Sequence, residues 1–241
     1  MKNLLLSFFI ITFSLSSAYS QSTLTERYLE VTFGQSSAGF NGLDFLNPNN
    51  KANTSNTTSG DFIILNNVDK TDEASIGSLS YGGLWGNSTA LSISLETISE
   101  LKAKGYATFG GTAFDQVIKS SGAGVFIGGG LHSDIGSFYF EPKIEIGFAS
   151  ITSKGTQGAE QSLTNAFPSK TENLFVSGIS LLFGYEITPK IDAVAEIGYR
   201  DFGNVQTGVT GTPPPAGMVA GEQLQSKLAI TTASIGLRYK F

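Results

Sequence analysis

The sequence predicts an all-β protein: an eight-stranded antiparallel up-and-down transmembrane β-barrel with four long extracellular loops and short periplasmic turns. Three features lead to this prediction. The end of the chain alternates strictly between apolar and polar residues, the start resembles a secretion signal, and the connections between alternating segments are long and short in turn. The predicted strands span residues 28–34, 74–85, 90–99, 122–131, 138–148, 174–187, 191–203 and 229–241.

The closing segment, residues 229–241, shows the alternation most clearly. Counting back from Phe241, one parity is apolar with two terminal aromatic residues, while the other is charged, small or hydroxylic. A period of two places different solvents on the two faces of a strand. An edge strand of a soluble sheet is the alternative, but such a chain rarely stops on an exposed aromatic residue. Terminal aromatic residues are expected where a membrane strand reaches the interface.

The first twenty residues predict a signal peptide that is removed after Ser20, so residues 21–241 form the barrel domain. Lys2 is followed by an apolar run of about 12 residues, short of the roughly 20 that span a bilayer. The sequence contains no Cys, which excludes a lipid-modified cysteine and disulfides. Without a long apolar run, only a closed barrel could satisfy its backbone within a membrane.

Composition agrees with a barrel. Charged residues make up only 15% of the chain, and Gly accounts for 29 positions. After removal of the signal peptide, 14 basic and 20 acidic side chains remain, a net charge of −6. We therefore expect no nucleic-acid partner.

The connections alternate long and short along the chain. Long connections on one side and short turns on the other are typical of outer-membrane barrels. An even number of strands also returns both termini to the periplasm. The predicted long loops are residues 35–73, 100–121, 149–171 and 204–225.

The segment 138–148 has the most regular alternation before the end of the chain. It predicts Ile144 in contact with lipid and Lys143 in the interior. Pro142 cannot donate a ladder hydrogen bond, so we expect a local bulge or a missing bond there.

The segment L-F-G-Y-E-I-T-P-K-I-D-A-V-A-E-I-G-Y-R-D-F-G-N-V, followed later by S-I-G-L-R-Y-K-F, resembles the last three strands of small OmpA-like and opacity-type surface proteins. The resemblance extends from about Phe183 to the end and is only architectural before Gly122. It implies a surface protein in the outer membrane of a Gram-negative bacterium, surrounded by outer-membrane lipid and lipopolysaccharide. It further implies that Tyr239 and Phe241 form the signal read by the barrel-assembly machinery. It implies no particular ligand.

Inward-facing charges are the main candidate site. Eight strands enclose a space just wide enough for side chains, so buried charges must pair. Glu141 and Glu145 flank Lys143, whereas Glu196 and Arg200 are about 13 Å apart along one strand, so each should pair with a neighbouring strand. The network is interpreted as a polar plug that sets barrel register, with a proton or ion path as the alternative. Its predicted members are Glu30, Glu96, Glu141, Lys143, Glu145, Glu196, Arg200 and Arg238.

An enzymatic function is not expected, nor is any cofactor or metal. His132 is the one histidine of the sequence and falls in a predicted periplasmic turn. Phosphate-loop, dinucleotide, zinc and nucleophile-elbow motifs are missing from the sequence. Two functions remain: a structural and adhesive surface barrel that contacts an external surface or host ligand through its loops, or a narrow passive pore or small-ligand transporter.

Overall fold

The computed structural model describes residues 24–46, 66–69, 73–86, 88–109, 112–159, 162–211 and 223–241. The signal peptide lies outside these residues and stays a prediction. The strands are β1 (Leu24–Leu46), β2 (Asn66–Asp69), β3 (Ala74–Trp85), β4 (Thr89–Phe109), β5 (Thr112–Leu131), β6 (Ser133–Ile135), β7 (Phe138–Ala159), β8 (Ser162–Thr188), β9 (Ile191–Gln206) and β10 (Gln223–Lys240).

Eight of these strands close an antiparallel ring. β1 pairs with β3 on one side and with β10 on the other. Around the ring the order is β1, β3, β4, β5, β7, β8, β9, β10. The two short strands are not separate members of the ring. β2 pairs with Lys104 and Tyr106 near the end of β4, and β6 continues the line of β5 after His132. The eight-stranded antiparallel barrel predicted from the sequence is confirmed.

The barrel has two distinct ends. At one end, here called the turn end, lie both described termini, the connection between β3 and β4 and the turns at residues 136–137 and 189–190. Gly136 has φ +67°, a left-handed conformation that glycine adopts without strain. The opposite end, where the longer connections lie, is called the loop end. Among the described residues, no helix is long and apolar enough to cross a membrane.

The strands extend much further toward the loop end than predicted. Residues 100–121 and 149–171 were expected to be loops, yet β4 continues to Phe109, β5 begins at Thr112, β7 continues to Ala159 and β8 begins at Ser162. β1 likewise continues to Leu46, and β9 and β10 are longer than predicted. The loop prediction was wrong for these stretches because their polar composition reflects an outer face in water, not irregular backbone.

The wall near the turn end is apolar outside and polar inside. On β7, Ile144 is exposed on the outer face, whereas Lys143 is buried in the lumen. The apolar outer face of β7 extends from Phe138 to Phe148, which at about 3.3 Å per residue and a 40° tilt is about 25 Å tall. This height matches the apolar band of a transmembrane barrel. The faces predicted for this strand agree with the structure.

Near the loop end the two faces exchange character. β7 there presents Ser150, Thr152 and Lys154 outward and buries Ile151 at 2% exposure. The outside of this zone meets water, so its apolar side chains gain by turning inward. They form an apolar plug that includes Ile76, Ile98, Leu101, Ile118, Phe126, Ile151, Phe167, Val176, Phe202, Val205, Leu224, Leu228 and Ile230.

Pro142 leaves a gap in the ladder but no bulge. Its pairing with Leu181 on β8 is in continuous register. On its other side β7 pairs with β5 and then with β6. The pairs Gly130 with Lys143 and Ser133 with Phe140 belong to one register, but the two positions between these pairs, which include Pro142, are not paired. The expected missing bond is therefore consistent with the structure, and the alternative of a bulge is wrong.

Candidate functional site: the charge network of the lumen

Arg238 on β10 is the centre of the network near the turn end. Its Nη1 and Nη2 atoms donate to the two carboxylate oxygens of Glu141 at 2.7 and 2.8 Å, and its Nε atom donates to Glu30 at 2.9 Å. The guanidinium lies 3.8 Å from the centroid of the Tyr28 ring. Planar, two-pronged recognition of a carboxylate uses the fixed fork of arginine.

Arg200 on β9 is a second centre, closer to the loop end. Its Nη1 atom lies 3.0 Å from Glu96 and its Nη2 atom 2.9 Å from Glu145. Glu196, on the same strand, lies farther away at 3.9 Å. Arg200 thus pairs with β4 and β7, neither of which adjoins β9, and Glu196 likewise reaches Lys143 on β7. The expected pairing with a neighbouring strand was wrong, because in a narrow lumen these side chains reach across to other walls. The centroid of the Phe126 ring lies 5.1 Å from the Arg200 guanidinium.

Lys143 connects the two arginine clusters. Its Nζ atom lies 3.4 Å from Glu196 and 3.7 Å from Glu141. Glu145, expected to share Lys143, pairs with Arg200 instead. The expectation was wrong because Arg200 reaches across the lumen from β9 to within 2.9 Å of Glu145 and becomes its partner in place of Lys143.

His132 belongs to the network, which sequence reasoning missed by assigning it to a turn. It lies between β5 and β6 with 9% exposure, and its Nδ1 and Nε2 atoms are each 2.9 Å from a carboxylate oxygen, of Glu141 and Asp134 respectively. Ionised carboxylates only accept hydrogen bonds, so an imidazolium with both N–H groups satisfies both contacts. The signal that could have identified it is parity, because His132 follows Phe126, Gly128 and Gly130 at alternate positions on the inward face.

Asp192 and Lys240 complete the turn-end mouth of the lumen. The Tyr139 hydroxyl donates to Asp192 at 2.9 Å, and the Lys240 Nζ atom lies 3.0 Å from the other Asp192 oxygen and 3.1 Å from Glu186. A polar cavity of about 260 Å³ opens here. Both residues face inward, and they extend the network to the aqueous rim.

Together the eight predicted side chains lie in one lumen, where each of the three cations contacts two or more of the five carboxylates. The apolar plug lies above them toward the loop end. The inward carboxylates that face Lys143, Arg200, Arg238, Lys240 or the ring of His132 include Glu30, Glu96, Glu141, Glu145, Asp192 and Glu196. Such an arrangement fills the lumen and gives strands with distant sequence positions a specific register.

Tyr239 and Phe241, the predicted assembly signal, lie on the outer face at the turn end. Their rings stack at 6.2 Å between centroids, and Phe241 also lies 6.3 Å from Tyr81 on β3. Both are exposed, at 48% and 60%. This position suits an interfacial aromatic girdle, while recognition by an assembly machinery stays a prediction.

Comparison with known proteins supports the fold. Neither a family model nor a curated protein sequence matches the chain. Among solved structures, the chain is similar to the outer membrane protein OprG from Pseudomonas aeruginosa, at 13% identity over 91% of this chain and 98% of that one, with a TM-score of 0.51. It also matches Neisserial surface protein A (13%, 89% and 97%, TM-score 0.42) and the outer membrane protease OmpT from Escherichia coli (10%, 92% and 99%, TM-score 0.47).

The fold and the apolar outer band define this protein as a β-barrel of the outer-membrane class. The predicted location, the outer membrane of a Gram-negative bacterium, agrees with that class. The narrower resemblance to OmpA-like and opacity-type proteins stays a prediction.

Proposed function

We propose that the protein is a surface barrel with a closed lumen, which anchors and presents its loop end to partners outside the cell. In this proposal the membrane zone is a rigid support, and contact with an external surface or host ligand occurs through the loop end. The alternative is a narrow pore or small-ligand transporter.

The observation that carries the proposal is that the lumen is filled at two levels, by the charge network and by the apolar plug. The membrane zone holds the charge network, in which Arg238 and Glu141 are 1% and 0% exposed. Above it, side chains such as Ile118 and Phe167, also almost fully buried, fill the loop-end zone. An ion would have to displace paired charges and then cross an apolar layer, and both steps are costly.

The geometry of His132 also supports a role without catalysis. A general base needs a ring nitrogen that can accept a proton from a substrate. Both ring nitrogens of His132 are engaged by carboxylates, and the ring is buried at the turn end. A surface partner at the loop end would not reach it.

The longest connections of the chain lie at the loop end. β1 ends at Leu46 and β2 begins at Asn66, and β9 ends at Gln206 while β10 begins at Gln223. Ordinary hairpin loops have 2–5 residues, so these connections are longer than the fold requires. Extra length adds little to the entropic cost of closing a loop, and long connections are therefore tolerated. Binding to an external partner is a use for such length.

The proposal is tested by replacing residues 47–65 and 212–222 with short Gly/Ser linkers. These limits leave all described strands intact, whereas a cut starting at residue 35 would remove part of β1 and its pairing with β10. We expect the variant to remain a heat-modifiable, membrane-inserted barrel, while bacteria displaying it lose attachment to a mammalian-cell monolayer and to one another. A control keeps both segment lengths and compositions but scrambles their order.

Conductance separates the two functions. Purified full-length protein in a planar bilayer should give no large steady current, and the linker variant should behave in the same way. A stable ohmic channel retained by the linker variant would favour the pore. Undiminished attachment by the linker variant would overturn the adhesive proposal.

A further inference from the structure

The backbone ladder that joins β7 to β5 and β6 is interrupted near the turn end, at the two unpaired positions that include Pro142. In the register that continues across the interruption, His132 lies directly opposite Glu141. The backbone N–H of His132 donates to the Ser88 carbonyl oxygen at 2.8 Å, in the connection between β3 and β4. Side chains therefore make the link to β7 here, because the Nδ1 atom of His132 lies 2.9 Å from a carboxylate oxygen of Glu141.

The second ring nitrogen of His132 links the same position to β6. Its Nε2 atom lies 2.9 Å from an oxygen of Asp134, whose side chain is 63% exposed, and its ring centroid lies 4.9 Å from that of Tyr139. Glu141, in contrast, is fully buried and also accepts two hydrogen bonds from Arg238. The imidazole thus joins a buried carboxylate of the network to an exposed carboxylate at the rim of the polar cavity.

Other charged or titratable groups line the same cavity without hydrogen-bonding to the ring, as far as the described residues show. They are Glu26 on β1, Tyr139 on β7, Glu186 on β8, Asp192 on β9, and Arg238 and Lys240 on β10. The two cations among them are already held by carboxylates. The protonation of His132 is therefore set mainly by Glu141 and Asp134.

Loss of one proton from the ring would break one of these two contacts. A neutral imidazole has one N–H donor, and ionised carboxylates only accept hydrogen bonds, so the neutral ring can satisfy only one of them. Glu141 is desolvated and would lose a hydrogen bond at high cost, whereas water at the mouth can solvate Asp134. The neutral ring should therefore keep Glu141 and release Asp134, which lies on β6, a strand of only three residues.

We propose that His132 is a pH-sensitive latch that holds β6 at the turn-end mouth of the barrel. Histidine ordinarily changes its charge between about pH 5 and pH 8, and the cavity that His132 and Asp134 line opens to solvent. In acid the imidazolium binds both carboxylates, and the latch is closed. As the pH rises and the ring becomes neutral, Asp134 is released, and β6 loosens together with the turn at residues 136–137. This role does not depend on what the loop end binds.

The first test follows the ring itself. His132 is the one histidine of the sequence, so tag-free barrel with isotope-labelled histidine in lipid nanodiscs gives a single imidazole signal that can be titrated by NMR. We expect Asp134→Ala to lower the midpoint of this titration by about one pH unit, because a carboxylate in contact with the ring favours its charged form. Asp201→Ala removes a carboxylate that pairs with Lys227 at the loop end, and it should leave the midpoint unchanged.

The second test follows β6. Hydrogen–deuterium exchange of residues 133–137 is measured at about pH 5 and about pH 8, on either side of the ordinary histidine range. It is divided by the exchange of the turn at residues 189–190 in the same sample, which removes the chemical effect of pH on exchange. For the wild type we expect this ratio to rise about two- to fivefold at the higher pH, the effect of losing one exposed ion pair. In Asp134→Ala the ratio should be high at both pH values.

Either test can overturn the latch. A titration midpoint in Asp134→Ala equal to that of the wild type would mean that Asp134 does not hold the imidazolium. A wild-type exchange ratio that is the same at both pH values would mean that the ring does not hold β6. Should Asp134→Ala fail to insert, Asp134→Asn removes the charge while preserving the shape, and it is expected to lower the midpoint in the same way. Neither readout involves cell attachment, so both are separable from the outcome of the loop replacement.

Discussion

At the scale of residues, the lumen network depends on ion pairing that leaves few buried charges without an oppositely charged partner. Arg238 makes four short contacts to Glu30 and Glu141 from a site with 1% exposure. Removing one partner of a buried ion pair leaves the other charged and desolvated, which costs far more than the pair contributes. Positions with several buried partners should therefore be the most sensitive in the lumen.

Arg238→Met is expected to lower the free energy of unfolding by about 3–5 kcal/mol, because it leaves two buried carboxylates without their main partner. Lys227→Met at the outer wall breaks an exposed pair and should cost no more than about 1 kcal/mol. Urea-induced unfolding of barrels in lipid vesicles measures both. Similar small losses for the two variants would contradict the role assigned to Arg238.

Lumen glycines act at the same scale by making room for large rings. A Cβ atom added at Gly184 would lie 2.0 Å from the Tyr139 ring, and one added at Gly82 would lie 2.5 Å from the Tyr28 ring. Glycine generally weakens a strand, but at these positions it leaves the space in which aromatic rings pack around Arg238.

Gly184→Val should displace the Tyr139 ring and break its hydrogen bond to Asp192, with a loss of roughly 1–3 kcal/mol from overpacking. Gly129→Val is the matched control on the outer face, where an added Cβ would meet only the end of the Leu91 side chain at 3.2 Å. Unfolding midpoints compare the two. A larger loss for Gly129→Val would show that lumen packing at Gly184 is loose.

At the scale of elements, each long strand passes through two environments. β7 alternates throughout, yet the apolar parity is outward from Phe138 to Phe148 and inward at Ala149 and Ile151. The face that carries the apolar side chains changes at the level where the surroundings of the outer wall change from hydrocarbon to water. A charged substitution should therefore be costly in the apolar part of one outer face and nearly neutral in its polar part.

Ile144→Arg, in the apolar band, is expected to destabilise the barrel by about 2–4 kcal/mol. Thr152→Arg, on the same face of the same strand but beyond the band, should be nearly neutral. Folding yield and unfolding midpoints in vesicles distinguish them. Normal folding of Ile144→Arg in vesicles would mean that the outer and inner faces are wrongly assigned.

At the scale of the whole molecule, the barrel is a closed cylinder with different ends. The turn end carries both described termini, the polar cavity and the aromatic pair Tyr239 and Phe241. The loop end carries the apolar plug. Such asymmetry has functional meaning only if the barrel inserts with one orientation.

Because the sequence contains no Cys, single cysteines report that orientation without background. On intact cells, Thr152→Cys should react with a membrane-impermeant maleimide, whereas Ser137→Cys in the turn should react only after the outer membrane is permeabilised. The reverse pattern would place the loop end in the periplasm, against the proposed function.

Alternation alone was sufficient to predict the strand number, the assignment of faces and the inward position of the eight network charges. It is sufficient because a strand with a different solvent on each side must repeat every two residues, whatever its partners are. The same reasoning failed at the loop end, where small and hydroxylic residues gave too little contrast between faces to distinguish a strand from a loop.

Only the tertiary structure decided which charges meet. Arg238 and Glu141 are 97 residues apart in sequence, and nothing local distinguishes Glu141 from Glu145 as the partner of Lys143. His132 joined the network because β6 continues the register of β5. Pairings of this kind follow from register around the closed ring, which is set by all eight strands together.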